Sequence, residues 1–177
     1  MPESPARLAQ KLLDEGQKSL QFFRALAPEQ WRQILYNPEG AGDPVVSAGG
    51  GDRFLDPGSG GWDLKDLLAH FVSAEASFGL LLQNILAGGE GAPEDFDIDR
   101  FNHSKVSRLK ESNRDELLQE LDNLRSQNAQ LVASMQPEDL DRMGRHPFLG
   151  VAPLSDIIKL IYRHQGIHLR DVRKSSG

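Results

Sequence analysis

The chain has 177 residues, of which 38% are apolar and 26% are charged, and its formal net charge is −6. It contains no cysteine, which excludes disulfides, thiolate metal ligands and a cysteine nucleophile, and its length suits a globular protein with one core. The acidic balance and the scattered basic residues argue against a nucleic-acid partner, and neither a membrane-spanning apolar run nor a secretory signal is recognisable, so we expect a soluble cytoplasmic protein.

Four long segments have the apolar spacing of amphipathic helices, and none shows convincing strand alternation. The first runs from about Ser4 to Ala27, and the second from about Trp62 to Ala87, where apolar residues alternate spacings of three and four. The third runs from about Arg114 to Ser134, and the fourth from about Leu154 to Arg173. These segments predict an all-α four-helix bundle that forms a single domain over residues 1–177.

Three connections separate the predicted long helices. Residues 36–61 form a glycine-rich loop that is long for a compact domain, which is typical of a functional or mobile segment. The acidic connection Gly88–Ser112 contains one short predicted helix, and Gly144–Pro153 is a predicted loop. We assign His103 and His146 to these connections and expect both at the surface.

Two of the five histidines stand four residues apart on the last predicted helix. His164 and His168 continue an inward seam through Ile157 and Ile161, so both imidazoles lie on one face of the helix. Adjacent buried imidazoles are costly unless they have partners. The pair is therefore either a structural pair satisfied by carboxylates or water, or two ligands of a shared metal ion.

A third ligand from another helix would complete a metal site, and His70 flanks the apolar seam of the second helix. His70 lies about 12 Å from the start of its helix, and the midpoint of the His164–His168 pair lies about 12 Å from the end of theirs. These levels match if the two helices are antiparallel, which follows if the Gly88–Ser112 connection is a crossover. Three imidazoles alone leave a coordination position open for water or substrate.

Other polar residues near these positions are weaker candidates. Asp66 and Asp171 each lie within one helical turn of a candidate ligand, where they are either orienting partners of an imidazole or solvated acids. Glu15 and Ser19 interrupt the apolar seam of the first helix. They are either a base and a hydrogen-bond donor facing the metal, or a polar notch in the bundle.

Several of these motifs resemble the DinB/YfiT-like family, whose members are regarded as metalloenzymes. The resemblance is carried by Trp62-Asp-Leu-Lys-Asp-Leu-Leu-Ala-His70, by His164-x-x-x-His168, and by the Arg145-His146-Pro147-Phe148-Leu149-Gly150 segment before the last helix. It spans nearly the whole chain, and its specific part is the three histidines. The resemblance implies an up-down-down-up bundle with a long crossover between helices 2 and 3, and frequent homodimers. It also implies a divalent metal ion, such as zinc or nickel, on His70, His164 and His168.

Three hypotheses for the function remain open on the sequence. The first is a metal-dependent enzyme, a transferase or hydrolase acting on a small-molecule or thiol substrate, since some members of the family use low-molecular-weight thiols. The second is a non-catalytic metal- or ligand-binding bundle. The third is a structural homodimer with vestigial histidines.

Overall fold

A computed structural model describes residues 3–32, 35, 62–109 and 111–175 of the chain. The described elements are, in chain order, α1 (Pro5–Arg24), a 3₁₀ turn (Gln30–Arg32), α2 (Leu64–Leu86), α3 (Ile98–Leu109), α4 (Arg114–Ala133), a 3₁₀ turn (Pro137–Asp141), β1 (Met143–His146), β2 (Gly150–Pro153) and α5 (Leu154–Ser175). The prediction of an all-α class and a four-helix bundle is confirmed, with α1, α2, α4 and α5 as the long helices. The predicted glycine-rich loop 36–61 lies outside the described residues.

Side chains at the N-termini explain why the predicted helix starts agree with the structure. The Ser4 hydroxyl accepts the backbone N–H of the first turn of α1. Asp63 and Asp66 form a reciprocal capping box at α2, and Asn113 and Glu116 form another at α4. Such caps satisfy the N–H groups that have no partner within a helix.

Ring contacts fix the relative direction of the two helices that carry the candidate ligands. Phe71 of α2 lies 5.9 Å from the His168 ring, and Phe78, two turns later, lies 6.5 Å from the His164 ring, one turn earlier on α5. The two helices therefore run antiparallel, as the comparison of axial levels requires. Residues 87–113 connect α2 to α4 and contain α3. The up-down-down-up order with its crossover stays a prediction.

The buried apolar side chains form two clusters, and each long helix contributes one of its ends to each cluster. The first cluster includes Leu20, Phe23, Leu68, Phe71, Leu121 and Leu169. The second cluster includes Leu8, Leu12, Leu82, Val132, Ile157 and Ile161. Each cluster receives residues from α1, α2, α4 and α5, so the long helices share one core that is interrupted partway along its length.

A buried polar layer occupies this interruption and consists of Glu75, Arg125, Asn128 and Gln165. A guanidinium nitrogen of Arg125 lies 2.5 Å from the Glu75 carboxylate. The same carboxylate accepts hydrogen bonds from the side-chain amides of Asn128, at 2.9 Å, and Gln165, at 3.1 Å. Burial is the largest influence on both charged groups: it raises the pKa of Glu75 and lowers that of Arg125, and their mutual attraction offsets part of each shift.

The prediction of a loop over Gly144–Pro153 is wrong, because these residues belong to an antiparallel β-hairpin. Met143 pairs with Pro153, and His146 pairs with Gly150. The strands have four residues each, too few for a recognisable alternation, and the exposed Met143 and Val151 obscure the pattern further. The hairpin is held against the α2–α3 connection, where the Arg145 N–H donates to the Glu90 carbonyl at 2.7 Å. The second strand leads directly into α5.

Two further structural findings concern the expectations drawn from the sequence. His103 lies within α3 and not in a loop. Across the described ranges, none of the helices combines the length and the hydrophobicity needed to span a bilayer.

Candidate metal centre

The structure brings His70, His164 and His168 together in the bundle. Their candidate ligand atoms all lie within 4.8 Å of one another. The His164 Nε2 lies 3.3 Å from the Nε2 of His70 and 3.1 Å from the Nε2 of His168. Nitrogens bound to one ion at 2.0–2.1 Å are separated by roughly 3.0–3.4 Å, so these two separations are compatible with ligands of a shared metal ion.

The positions of the three rings follow from the helices that carry them. His70 is buried, lies 5.4 Å from the Trp62 ring, and projects from α2 towards α5. His164 and His168 are half-buried and occupy successive turns of α5, with ring centroids 4.6 Å apart. The spacing of four residues and the antiparallel helices are therefore sufficient to bring all three imidazoles to one point.

The surroundings keep these imidazoles neutral, which is the form that binds metal. Burial, followed by the repulsion of neighbouring histidines, lowers the pKa of His70 and His164 well below the ordinary value of 6.5. Burial lowers the pKa of His168 to about 4, although the nearby Asp171 carboxylate raises it in part. A set of close, neutral nitrogen donors fits a divalent ion and suits zinc, nickel, copper and iron alike.

A largely apolar cleft of about 560 Å³ adjoins the candidate metal centre, and His70 and His164 form part of its lining. Its walls include Phe78, Leu81, Phe96, Ile98, Phe101 and Leu160. This volume is within the range of sites for small molecules. The cleft therefore offers a route by which a ligand can reach His70 and His164.

His146 is a residue of this cleft that the sequence interpretation placed at the surface. Its exposed fraction is 6%, and its ring stacks on Phe78 with the centroids 5.3 Å apart. Burial lowers the pKa of His146 to about 4. The expectation of a surface residue is wrong because the hairpin folds the end of β1 back against α2. The only sequence signal for this position was its place in the segment Arg145–Gly150, which carries part of the family resemblance.

The two candidates on α1 do not join the cleft. The Glu15 carboxylate pairs with the exposed Lys18 ammonium at 2.7 Å, and the Ser19 hydroxyl donates to the Glu15 backbone carbonyl. Neither residue lines the cleft, so Glu15 is removed as a candidate base and Ser19 as a donor to the metal. Asp171 lines the cleft beside His168, whereas the Asp66 carboxylate accepts the Asp63 N–H in the capping box.

The comparison with known families agrees with the fold. The sequence pattern of the DinB superfamily matches residues 15–172, and the chain belongs to that superfamily. Among solved structures, the chain is similar to YfiT from Bacillus subtilis, with a TM-score of 0.69 and 14% identity over 98% of this chain and 90% of that one. YfiT is described as a probable metal-dependent hydrolase with an unusual four-helix bundle topology. No curated protein matches the chain significantly in sequence.

Proposed function

We propose that this protein is a metal-dependent hydrolase that holds one divalent ion on His70, His164 and His168. The observation that carries the proposal is the convergence of three imidazole nitrogens beside an apolar cleft. The description of YfiT as a probable metal-dependent hydrolase supports the reaction class. A divalent ion on three neutral ligands supplies Lewis-acid chemistry, which polarises a carbonyl group and lowers the pKa of water.

The residues of the chain have separable tasks in this proposal. The three histidines hold the ion and leave it its full positive charge, because each imidazole is neutral. The apolar walls, among them Phe78 and Leu160, exclude bulk water, so that electrostatic interactions inside the cleft are strong. The Asp171 carboxylate lies close enough to His168 to raise its pKa, and it keeps that imidazole a better donor.

The metal site is tested by elemental analysis of protein purified without a polyhistidine tag. We expect about one divalent ion per chain, because three histidine ligands with bonds of about 2 Å define one site. His168→Ala should lose most of the metal, whereas Arg163→Ala, an exposed position on the same helix, should keep it. Unchanged metal content in the His168→Ala protein would overturn the proposal.

The reaction class requires a separate measurement. Hydrolysis of an apolar ester such as p-nitrophenyl butyrate should be lost after treatment with a chelator and restored by zinc or nickel. A protein that retains its metal but hydrolyses neither esters nor amides would overturn the hydrolase and leave the transferase and the non-catalytic binding bundle. The homodimer and the cytoplasmic location are proposals that sedimentation and cell fractionation can test.

A further inference from the structure

We propose that the substrates are small molecules with an apolar body and a carbonyl group, and that His146 donates a hydrogen bond to the carbonyl oxygen. The inference rests on the proposed function, because it concerns the cleft beside the candidate metal centre. It adds a binding residue and a substrate class to that function. His146 is separate from the three candidate ligands and belongs to β1 of the hairpin, not to the helices that carry them.

The hairpin fixes which nitrogen of the His146 ring carries the proton. The His146 Nδ1 accepts the backbone N–H of Phe148 at 3.0 Å and that of Leu149 at 3.3 Å. A neutral imidazole carries one N–H, and a nitrogen that accepts hydrogen bonds does not carry it. The proton is therefore on Nε2, which is a hydrogen-bond donor.

The ring is also held in place beside the metal centre. Its plane lies 15° from that of Phe78, and Phe78 in turn contacts His164 with the centroids 6.5 Å apart. His146 lines the cleft, and within the described part of the chain no group accepts a hydrogen bond from its Nε2. An N–H donor held in a fixed orientation thus stands in the cleft, and its ring and that of His164 both contact Phe78.

The other polar groups of the cleft define which ligand chemistry fits. The Ser77 hydroxyl donates to the Ser73 carbonyl, and the Asn84 side-chain oxygen accepts the Gly91 N–H. The Asp171 carboxylate, which also lines the cleft, accepts a hydrogen bond from the Arg170 guanidinium at 3.4 Å, so these three groups serve the protein itself. Asn102, which is 6% exposed, has a buried side-chain nitrogen with no hydrogen-bond partner among the described residues.

The unused polar groups that we identify in this apolar cleft, on His146 and Asn102, are therefore N–H donors. The buried Asn102 donor is costly without an acceptor, and a ligand oxygen removes that cost, while the His146 Nε2 offers a second donor to the same ligand. A carbonyl on an apolar body matches both the donors and the walls.

The test uses two substitutions that separate the two nitrogens of His146. In His146→Asn the side-chain oxygen takes the place of Nδ1 and can accept the two backbone N–H groups, but nothing reaches the Nε2 position. In His146→Gln the amide reaches the Nε2 position, but no atom occupies the Nδ1 position. The first variant removes the donor in the cleft, and the second removes the acceptor of the hairpin.

The probe is 4-phenylbutan-2-one, a neutral ketone, with acetone as the control that lacks the apolar body. Binding to the full chain is measured from shifts in its ¹H–¹⁵N NMR spectrum, both as purified and after metal removal. We expect the larger ketone to bind and acetone not to bind at the same concentration. His146→Asn should weaken binding by about tenfold, the effect of one lost hydrogen bond in an apolar site. Its melting temperature should fall only modestly, because it loses the ring stacked on Phe78 but keeps an acceptor for the hairpin. His146→Gln should melt at a lower temperature and keep most of the binding.

The outcomes separate this inference from the proposed function. Equal binding by wild type and His146→Asn would overturn it, as would equal binding of the two ketones or failure of 4-phenylbutan-2-one to bind. A protein that binds the ketone through His146 but holds no metal would disprove only the metal-dependent hydrolase. A protein that holds metal but binds the ketone independently of His146 would disprove only the inference.

Discussion

Each of the four histidines at the candidate metal centre and its cleft has a lowered pKa. His70, His146, His164 and His168 all owe the largest part of this shift to burial. A buried imidazole resists protonation because its cation loses hydration. Because these rings resist protonation in the folded protein, its free energy of unfolding should depend on pH.

The metal-free protein should lose stability as the pH falls from about 6.5 towards 4. The pKa of His146 is about 4 in the folded protein and 6.5 for an ordinary histidine, so the unfolded chain binds more protons between these values. Stability therefore rises with pH across this window. Urea unfolding at pH 7.5, 5.5 and 4.5 measures the effect. The His146→Asn variant should show a shallower dependence, and an identical one would refute this account.

Two helical glycines should respond to alanine in opposite directions. A Cβ on Gly79 would lie 2.5 Å from the Asn128 side-chain oxygen, so Gly79→Ala must displace a member of the polar layer. A Cβ on Gly166 would meet nothing within 4 Å. We expect Gly166→Ala to stabilise the protein by about 0.5–1 kcal/mol, the usual gain in a helix interior. Gly79→Ala should be destabilising, and thermal melts of the two variants compare them directly.

These residues also show what could be predicted from the sequence. His164 and His168 were recognisable because helical spacing alone places them on one face. Glu15 was misplaced because its seam position suggested an inward carboxylate. In the structure the neighbouring Gly16 faces Arg125, and Glu15 turns to Lys18. The role of His146 depends on a hairpin whose pairing is set by tertiary contacts, which no local pattern reveals.

The helices were predictable to within a few residues because capping and apolar periodicity are local signals. The polar layer was not, since its members lie on three helices and each helix shows only one or two polar residues without their partners. Only the packing of α2, α4 and α5 makes one network of Glu75, Arg125, Asn128 and Gln165. The energetic consequence of that network can be measured.

Arg125→Met should destabilise the protein by about 3–5 kcal/mol, because it leaves a buried carboxylate without its counter-charge. Burial raises the pKa of Glu75, and loss of Arg125 removes the attraction that opposes this shift. A group with a raised folded-state pKa stabilises below its unfolded pKa, and this contribution is lost as the pH rises through the folded value. The defect should therefore be smaller at pH 5 than at pH 8.

The double variant Glu75→Gln with Arg125→Met is the matched control. It removes both charges but keeps one of the two side-chain oxygens that accept from Asn128 and Gln165. It should be more stable than Arg125→Met alone at pH 8, as a double-mutant cycle by urea unfolding would show. A double variant no more stable than the single one would contradict the argument.

The candidate metal centre connects α2 and α5, because its candidate ligands lie on both helices. An ion bound there links parts of the chain that are distant in sequence. Metal binding should therefore act on the unfolding of the whole bundle and not on one helix alone. This effect is distinct from any catalytic role of the metal.

Adding zinc to the metal-free protein should raise its free energy of unfolding by about 3 kcal/mol when free zinc is about 100 times its Kd. The reason is mass action, since only the folded chain holds the three imidazoles together. Thermal melts at increasing zinc concentrations give the measurement, with His168→Ala as the control that should not respond. A wild-type midpoint independent of zinc would count against the site.

The polar layer bears on how far such a sequence can diverge. Sliding one long helix by a turn would place Glu75 or Arg125 against apolar residues, so the layer sets the alignment of the bundle. The two apolar clusters carry no such constraint and can exchange one hydrophobic residue for another. Evolutionary drift can then be fast at both ends of the bundle, while the layer changes only by paired replacement. A bundle aligned in this way can keep its fold at an identity as low as the 14% found with YfiT.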